Sequence, residues 1–229
     1  MKTAFFIDGY NLFYGLLANT PYKWLDLPAL LSHVTSVENS NSETHGIYYF
    51  SSPVKPELAS RGIQSKEAQD SYIRALKIYG VSVELGRHTL EPAKAPVYLG
   101  PSTRPSRQEK VDIWKLEEKE TDVNLAVSLY RTASKQQHLP QEDRIEQIVL
   151  VSADTDIGPA LQAVREDFPH ITIGVILPHR EGIKRGAPGT LRKQANWMRS
   201  TIKNEELATH QLPDKIPTKK KPIFKPDYW

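Results

Sequence analysis

Five short stretches of this 229-residue chain read as strands, Ala4–Ile7, Ile47–Phe50, Val81–Leu85, Ile148–Val151 and Ile171–Leu177, and all but Val81–Leu85 lack the polar alternation of a half-buried strand. Strands buried on both faces belong to parallel sheets sandwiched between helices. Amphipathic stretches lie between them, and the predicted class is therefore α/β with three layers and a mostly parallel central sheet. Trp24 to Val37 carries Leu27, Leu30, Leu31 and Val34, with Asp26 suited to N-cap a helix that has Pro28 in its first turn. Thr121 to Ala133 carries a Val123, Ala126, Val127, Tyr130 stripe. Pro56 to Tyr79 is partly in helical register. The prolines at 92, 96, 101 and 105 predict an extended loop or edge hairpin over Glu91–Arg107, with strand only near Val97–Leu99.

The chain contains no cysteine, which excludes a disulfide framework, a thiolate metal site and a Cys nucleophile. No apolar run reaches membrane-spanning length and the first residues do not form a signal peptide, so a cytoplasmic protein is expected. Charge is uneven. Arg180–Trp229 holds twelve Lys/Arg and five Asp/Glu, a net of +7, although the whole chain carries only +3. A domain over 1–210 followed by an irregular, basic Pro/Lys-rich tail over 211–229 is the expected organisation, with Phe224, Tyr228 and Trp229 able to pin that tail to the body. A basic end on an acidic body suits a protein that binds polyanions, or simply a solvated tail.

Two of the apolar runs stop at carboxylates: Asp8 after the first, Asp154 and Asp156 after Val151. A third acidic group, Glu117, Glu118, Glu120 and Asp122, opens the Thr121 helix. In open parallel sheets the ligand sits beyond the carboxyl ends of the strands. Carboxylates gathered there raise one another's pKa unless a divalent cation lies among them. Hard oxygen donors favour Mg²⁺ or Mn²⁺. Hydrolysis of a phosphodiester follows most directly from such a site. Each Asp also has a plainer reading as a helix N-cap, and Glu117 to Glu120 as a solvated face. Asn11 orients a carboxylate, contacts a phosphate or faces solvent. Tyr10, Phe13, Tyr14 and Trp24 are core residues or base-stacking platforms, and His179 is a proton shuttle or a structural residue.

Phe-Ile-Asp8-Gly-Tyr-Asn11-Leu, Glu120-Thr-Asp122-Val-Asn-Leu-Ala and Val-Ser-Ala-Asp154-Thr-Asp156 stand in the order found in the NYN domain, a branch of the PIN-like nucleases, which this chain resembles over residues 5 to 156. The resemblance implies a PIN-like Rossmannoid fold, a Mg²⁺ or Mn²⁺ site and an RNA substrate, single-stranded or tRNA-like. By motif position Asp8, Asp122 and Asp154 are then the metal carboxylates. Asp156 is a further ligand or water-orienting group, and Asn11 supports the first Asp. Ala153 stands where the family often has Gly, and Ser128 where many members carry an acidic residue or His. Arg180, Lys184, Arg185, Arg192 and Lys193, after the Leu177 strand, are the expected backbone contacts for nucleic acid.

Two other functions compete. One is a nucleic-acid-binding or regulatory module without turnover; for the nuclease itself, a homodimer and a regulatory protein partner are both compatible with the sequence. The other arises because Thr20–Leu27 is similar to a segment of proteins named as monooxygenases of a hydroxylated, 6-hydroxy-3-succinoylpyridine type substrate. Against the latter, the turn after the first strand has one glycine where a dinucleotide fingerprint needs three.

Overall fold

The computed structural model describes residues 1–102, 104, 106, 108–182 and 186–229. From the N-terminus, Lys2–Asp8 (β1) turns into Gly9–Leu12 (α1), which widens into a π-helical turn at Phe13–Leu17; Leu27–Glu38 (α2) follows. Glu43–Ser51 (β2), Ile63–Ile78 (α3) and Ser82–Leu85 (β3) come next, then two long strands, Arg87–Pro96 (β4) and Lys110–Lys119 (β5). Thr121–Lys135 (α4), Gln147–Val151 (β6), Gly158–Asp167 (α5), Thr172–Ile176 (β7), Gly189–Gln194 (α6), Trp197–Arg199 (β8) and Asn204–Thr209 (α7) complete the body. Lys215–Ile216 (β9) and Ile223–Phe224 (β10) lie in the tail.

All five stretches are strands of one six-stranded sheet ordered β3-β2-β1-β6-β7-β8, every pairing parallel. The period of two along β1 sends Phe5 and Ile7 to one face and Ala4 and Phe6 to the other. Leu30, Leu31 and Leu76 of α2 and α3 cover the first face; Leu125, Leu161 and Val164 of α4 and α5 cover the second. The result is a three-layer, Rossmann-like sandwich. Asp26 caps α2 by accepting the Ala29 N–H at 3.0 Å, with Pro28 behind it. At the sheet's far edge Arg199 pairs with Glu38 at 2.9 Å and Glu206 at 2.7 Å, tying β8 to α2 and α7. Among the described residues no helix is long and apolar enough to cross a membrane.

Two expectations are corrected. Of the loop and hairpin readings of the Pro-rich stretch the hairpin is the one formed, but its strands do not lie at Val97–Leu99: β4 and β5 form a ten-residue antiparallel ribbon, and Pro92 and Pro96 lie within it. A two-stranded ribbon has two free edges, where a missing N–H costs nothing. The tail is not irregular either. β9 pairs with β10, the Leu212 N–H donates to the Trp24 carbonyl at 2.9 Å, and the Trp24 indole N–H donates to the Pro213 carbonyl at 3.0 Å. Trp229 packs its ring 6.2 Å from that of Trp24 and 5.7 Å from that of Tyr72. Losing two such aromatic pairs and the apolar area beneath them costs roughly 2–3 kcal/mol. Trp229→Ala is therefore expected to lower the urea midpoint by that equivalent, whereas an unchanged midpoint would mean that the tail adds nothing to stability.

Candidate metal centre

The sheet order places β1 and β6 side by side, with the chain winding outward from them in opposite directions. The crevice beyond their carboxyl ends is the switch point where ligands of doubly wound sheets bind. Asp8 ends β1 and Asp154 follows β6. The turn after Asp8 needs glycine: a Cβ on Gly9 would lie 2.4 Å from the Tyr49 ring and 2.8 Å from the Phe50 carbonyl oxygen.

The N-cap readings of Asp8 and Asp154 hold locally. Asp8 Oδ1 accepts the Asn11 N–H at 2.9 Å, and Asp154 Oδ1 accepts the Asp156 N–H at 2.9 Å. The same carboxylates nonetheless converge. One oxygen from each of Asp8, Asp122 and Asp154 lies within 4.8 Å of the others, with Asp8 buried, Asp154 half-buried and Asp122 exposed. Asp122 comes from the first turn of α4, which starts at Glu120 in a left-handed conformation (φ 77°) without a side-chain cap. Ser152 Oγ donates to Asp8 Oδ2 at 3.1 Å and accepts the Asp154 N–H at 3.0 Å, so one hydroxyl sets the spacing of two carboxylates. Asn11 Oδ1 accepts the Ala153 N–H at 3.0 Å. Its positioning role is formed: its backbone holds Asp8 and its side chain holds the loop after β6.

Burial pushes the Asp8 carboxyl up to about 6, helped by the charges of Asp122 and Glu118 against the opposing hydrogen bonds from Asn11 and Ser152. Asp122 is raised by desolvation, then by Asp154, Glu118 and Asp156. Asp156 is exposed and stands outside the three-carboxylate cluster, close enough to act on Asp122 through its charge. Among the described residues no Lys or Arg forms an ion pair with Asp8, Asp122 or Asp154; nearby cations are taken by Glu117, which meets Lys115 and Lys119, and by Glu120, which meets Arg87 at 2.7 Å.

Glu118 was hidden in the sequence within an acidic run that looks like a solvated face. On β5, successive side chains point to opposite faces. Glu117 therefore turns to its lysines, whereas Glu118 turns to the site and accepts the Ser52 Oγ–H at 3.0 Å. Ser52 has one proton and gives it to Glu118, so the 2.8 Å contact between Ser52 and Thr121 has the Thr121 hydroxyl donating. This relay joins the ends of β2 and β5 to the start of α4, and alternation in a recognised strand is the signal that would have found it.

The remaining expected contacts divide. Trp24 is fully buried and Phe13 packs against the core, whereas Tyr14 is 69% exposed and stacks on Tyr10 at 5.8 Å. A cleft of about 580 Å³ beside the carboxylates is lined by Asn11, Tyr14, Ala153, His179 and Pro188. His179 is buried. Arg180 is half-buried, bridging to Ile202. Arg192 and Lys193 are exposed on α6, whose Thr190 side chain touches the start of α5 at Gly158. Lys184 and Arg185 lie outside the described residues.

All the donors of the cluster are hard oxygens, which fits Mg²⁺ or Mn²⁺. The same turn does not fit a dinucleotide. At the start of α1 the Asn11 N–H is already taken by the Asp8 carboxylate, where a dinucleotide fold offers such N–H groups to a pyrophosphate, and the one glycine of the turn, Gly9, is closed in by Tyr49 and Phe50.

No protein-family profile matches the chain. A crystal structure of a protein of unknown function from Vibrio parahaemolyticus superposes with a TM-score of 0.50 at 15% identity, covering 92% of this chain and 96% of that one, a likeness of fold alone. In sequence, the chain is 35% identical to the 6-hydroxy-3-succinoylpyridine 3-monooxygenase HspA of Pseudomonas putida over 246 aligned positions, covering all of this chain and 75% of that protein. At that identity and coverage, the chain belongs to the family of this Pseudomonas enzyme.

Proposed function

We propose that the protein is a divalent-metal-dependent nuclease that hydrolyses RNA phosphodiester bonds at the Asp8, Asp122 and Asp154 cluster. The observation that carries this reading is the meeting of three carboxylates from three separate elements at the sheet's switch point, one of them buried, without a cationic partner among the described residues. The order of the NYN-like motifs supports it. Asp8, Asp122 and Asp154 would hold Mg²⁺ or Mn²⁺. Such an ion supplies an acidified water as nucleophile and neutralises charge on the leaving oxygen. Asn11 and Ser152 keep Asp8 and Asp154 at their spacing, Asp156 accepts a water proton at the open edge, and Tyr14 offers an exposed ring to an unpaired base.

A second reading follows from the family's named member, which oxygenates a hydroxylated pyridine. Its support is sequence identity over the whole chain. The two are separated by one pair of assays. End-labelled single-stranded RNA and tRNA are incubated with Mg²⁺, Mn²⁺ or EDTA and either wild type or Asp154→Asn, while NADH consumption is followed with 6-hydroxy-3-succinoylpyridine. Metal-dependent RNA products lost in the variant are expected. Intact RNA together with pyridine-dependent NADH oxidation would overturn the nuclease reading in favour of the second.

A further inference from the structure

The run Lys219-Lys220-Lys221 suits a solvated tail on charge alone, yet it is held in an ordered loop. Ile216 and Ile223, both buried, face each other across the β9–β10 ladder and close the loop at its base. Thr218 Oγ1 donates to the Lys221 carbonyl at 2.8 Å and accepts the Lys220 N–H at 3.2 Å. Arg74 of α3 reaches the same carbonyl at 3.4 Å. Between this loop and the last turn of α3 lies a groove of about 780 Å³, lined by Arg74, Lys77, Lys219 and Lys220, with Ile78 and Pro217 among its apolar walls. Among the described residues no carboxylate lines it.

Four like charges around one groove repel one another within a Debye length. The last carbonyls of α3 offset little of this, because those of Ala75, Leu76 and Lys77 already accept the N–H groups of Tyr79, Val81 and Gly80. Lysines held beside an Arg and a Lys of a neighbouring helix make the groove cationic on both walls, a setting that an anion entering it would relieve. The centre at Asp8, Asp122 and Asp154 repels a polyanion, so affinity for one has to be supplied elsewhere on the surface.

We infer that this groove binds the phosphate backbone of a single-stranded nucleic acid as an anchoring site apart from the carboxylate centre. The choice of nucleic acid over other polyanions rests on the nuclease reading. The apolar walls take up sugar and base faces while the four cations take phosphates. α3 ends just before β3, the sheet's edge strand, two strands across from β1 and Asp8, so the groove opens on the outer edge of the sheet, away from the carboxyl ends of β1 and β6. Only a strand of several nucleotides engages both.

The test is fluorescence anisotropy in EDTA with an end-labelled oligo(U) RNA of about 30 nucleotides, titrated over roughly 25 to 250 mM KCl. Lys219→Gln/Lys220→Gln is expected to reduce the slope of log K against log salt by about 1.4 and to weaken binding about tenfold near 100 mM. Lys219→Arg/Lys220→Arg keeps the wild-type slope. A slope unchanged by the Gln pair, no RNA binding at all, or groove-dependent binding of polyglutamate or anionic vesicles in place of RNA would each overturn the proposal. Groove-dependent RNA binding without cleavage in Mn²⁺ would remove the nuclease reading and leave the groove standing; cleavage with an unchanged slope would do the reverse.

Discussion

Metal-free Asp8→Asn is expected to be more stable than the wild type at pH 7.5, although it replaces a buried residue of the site. The folded-state pKa of Asp8 is raised from 3.8 to about 6, so the fold favours the neutral acid. Stability linked to this group is fully present below pH 4 and is lost as pH rises through 6. The ionised carboxylate at pH 7.5 then costs about 3 kcal/mol that a neutral amide does not. For a chain of this size that is a melting difference on the order of 5–10 °C. The gap should close near pH 4, where the wild-type carboxyl is also neutral. Saturating Mn²⁺ should raise the wild type and leave the variant where it was, because cation binding is what offsets the ionised carboxylate. A metal-free variant less stable than wild type at pH 7.5 would mean that Asp8 is a structural acceptor whose ionised form the fold prefers.

The second large effect concerns the unequal roles of the acidic residues. Asp122→Asn and Asp154→Asn should each lower metal-dependent RNA cleavage at least about a thousandfold, since the ion contributes several kcal/mol to the transition state. Asp156→Asn should lower it about tenfold or less, the scale of a single positioned proton acceptor outside the ligand cluster. Initial rates at saturating Mn²⁺ separate the two classes. Equal losses at Asp154 and Asp156 would move Asp156 into the ligand set.

Strands buried on both faces announce themselves, so β1, β2, β6 and β7 were legible as apolar runs, and with them the three-layer architecture; β3, exposed at the sheet's edge, was legible from its short Val83 and Leu85 pattern. β8 was not: its three residues, Trp197–Arg199, are half-buried at the sheet's edge and carry no apolar run. The extent of the β4–β5 ribbon, though not the possibility of a hairpin, was masked by Pro92 and Pro96, which mark loops more often than free-edged ribbons. Losing the ribbon meant losing Glu118, because only strand alternation separates it from Glu117. The convergence of Asp8, Asp122 and Asp154 was legible because two sit where apolar runs stop and the third opens an evident helix. The tail was obscured because Ile216 and Ile223 are isolated among prolines and lysines, and their pairing depends on a surface that only the folded body provides. The position of Asp156 outside the cluster depends on a single turn of 3₁₀ helix at Thr155–Ile157, below what residue spacing resolves.

The account stands on whether Asp8, Asp122 and Asp154 hold a cation. Isothermal titration of Mn²⁺ into metal-free protein near pH 7, for wild type and for Asp8→Asn, Asp122→Asn and Asp154→Asn, measures this without reference to any substrate. Saturable binding in the wild type that weakens at least about a hundredfold in each variant is the predicted result. Mn²⁺ binding of equal affinity in all four proteins, or no binding in any, would contradict it.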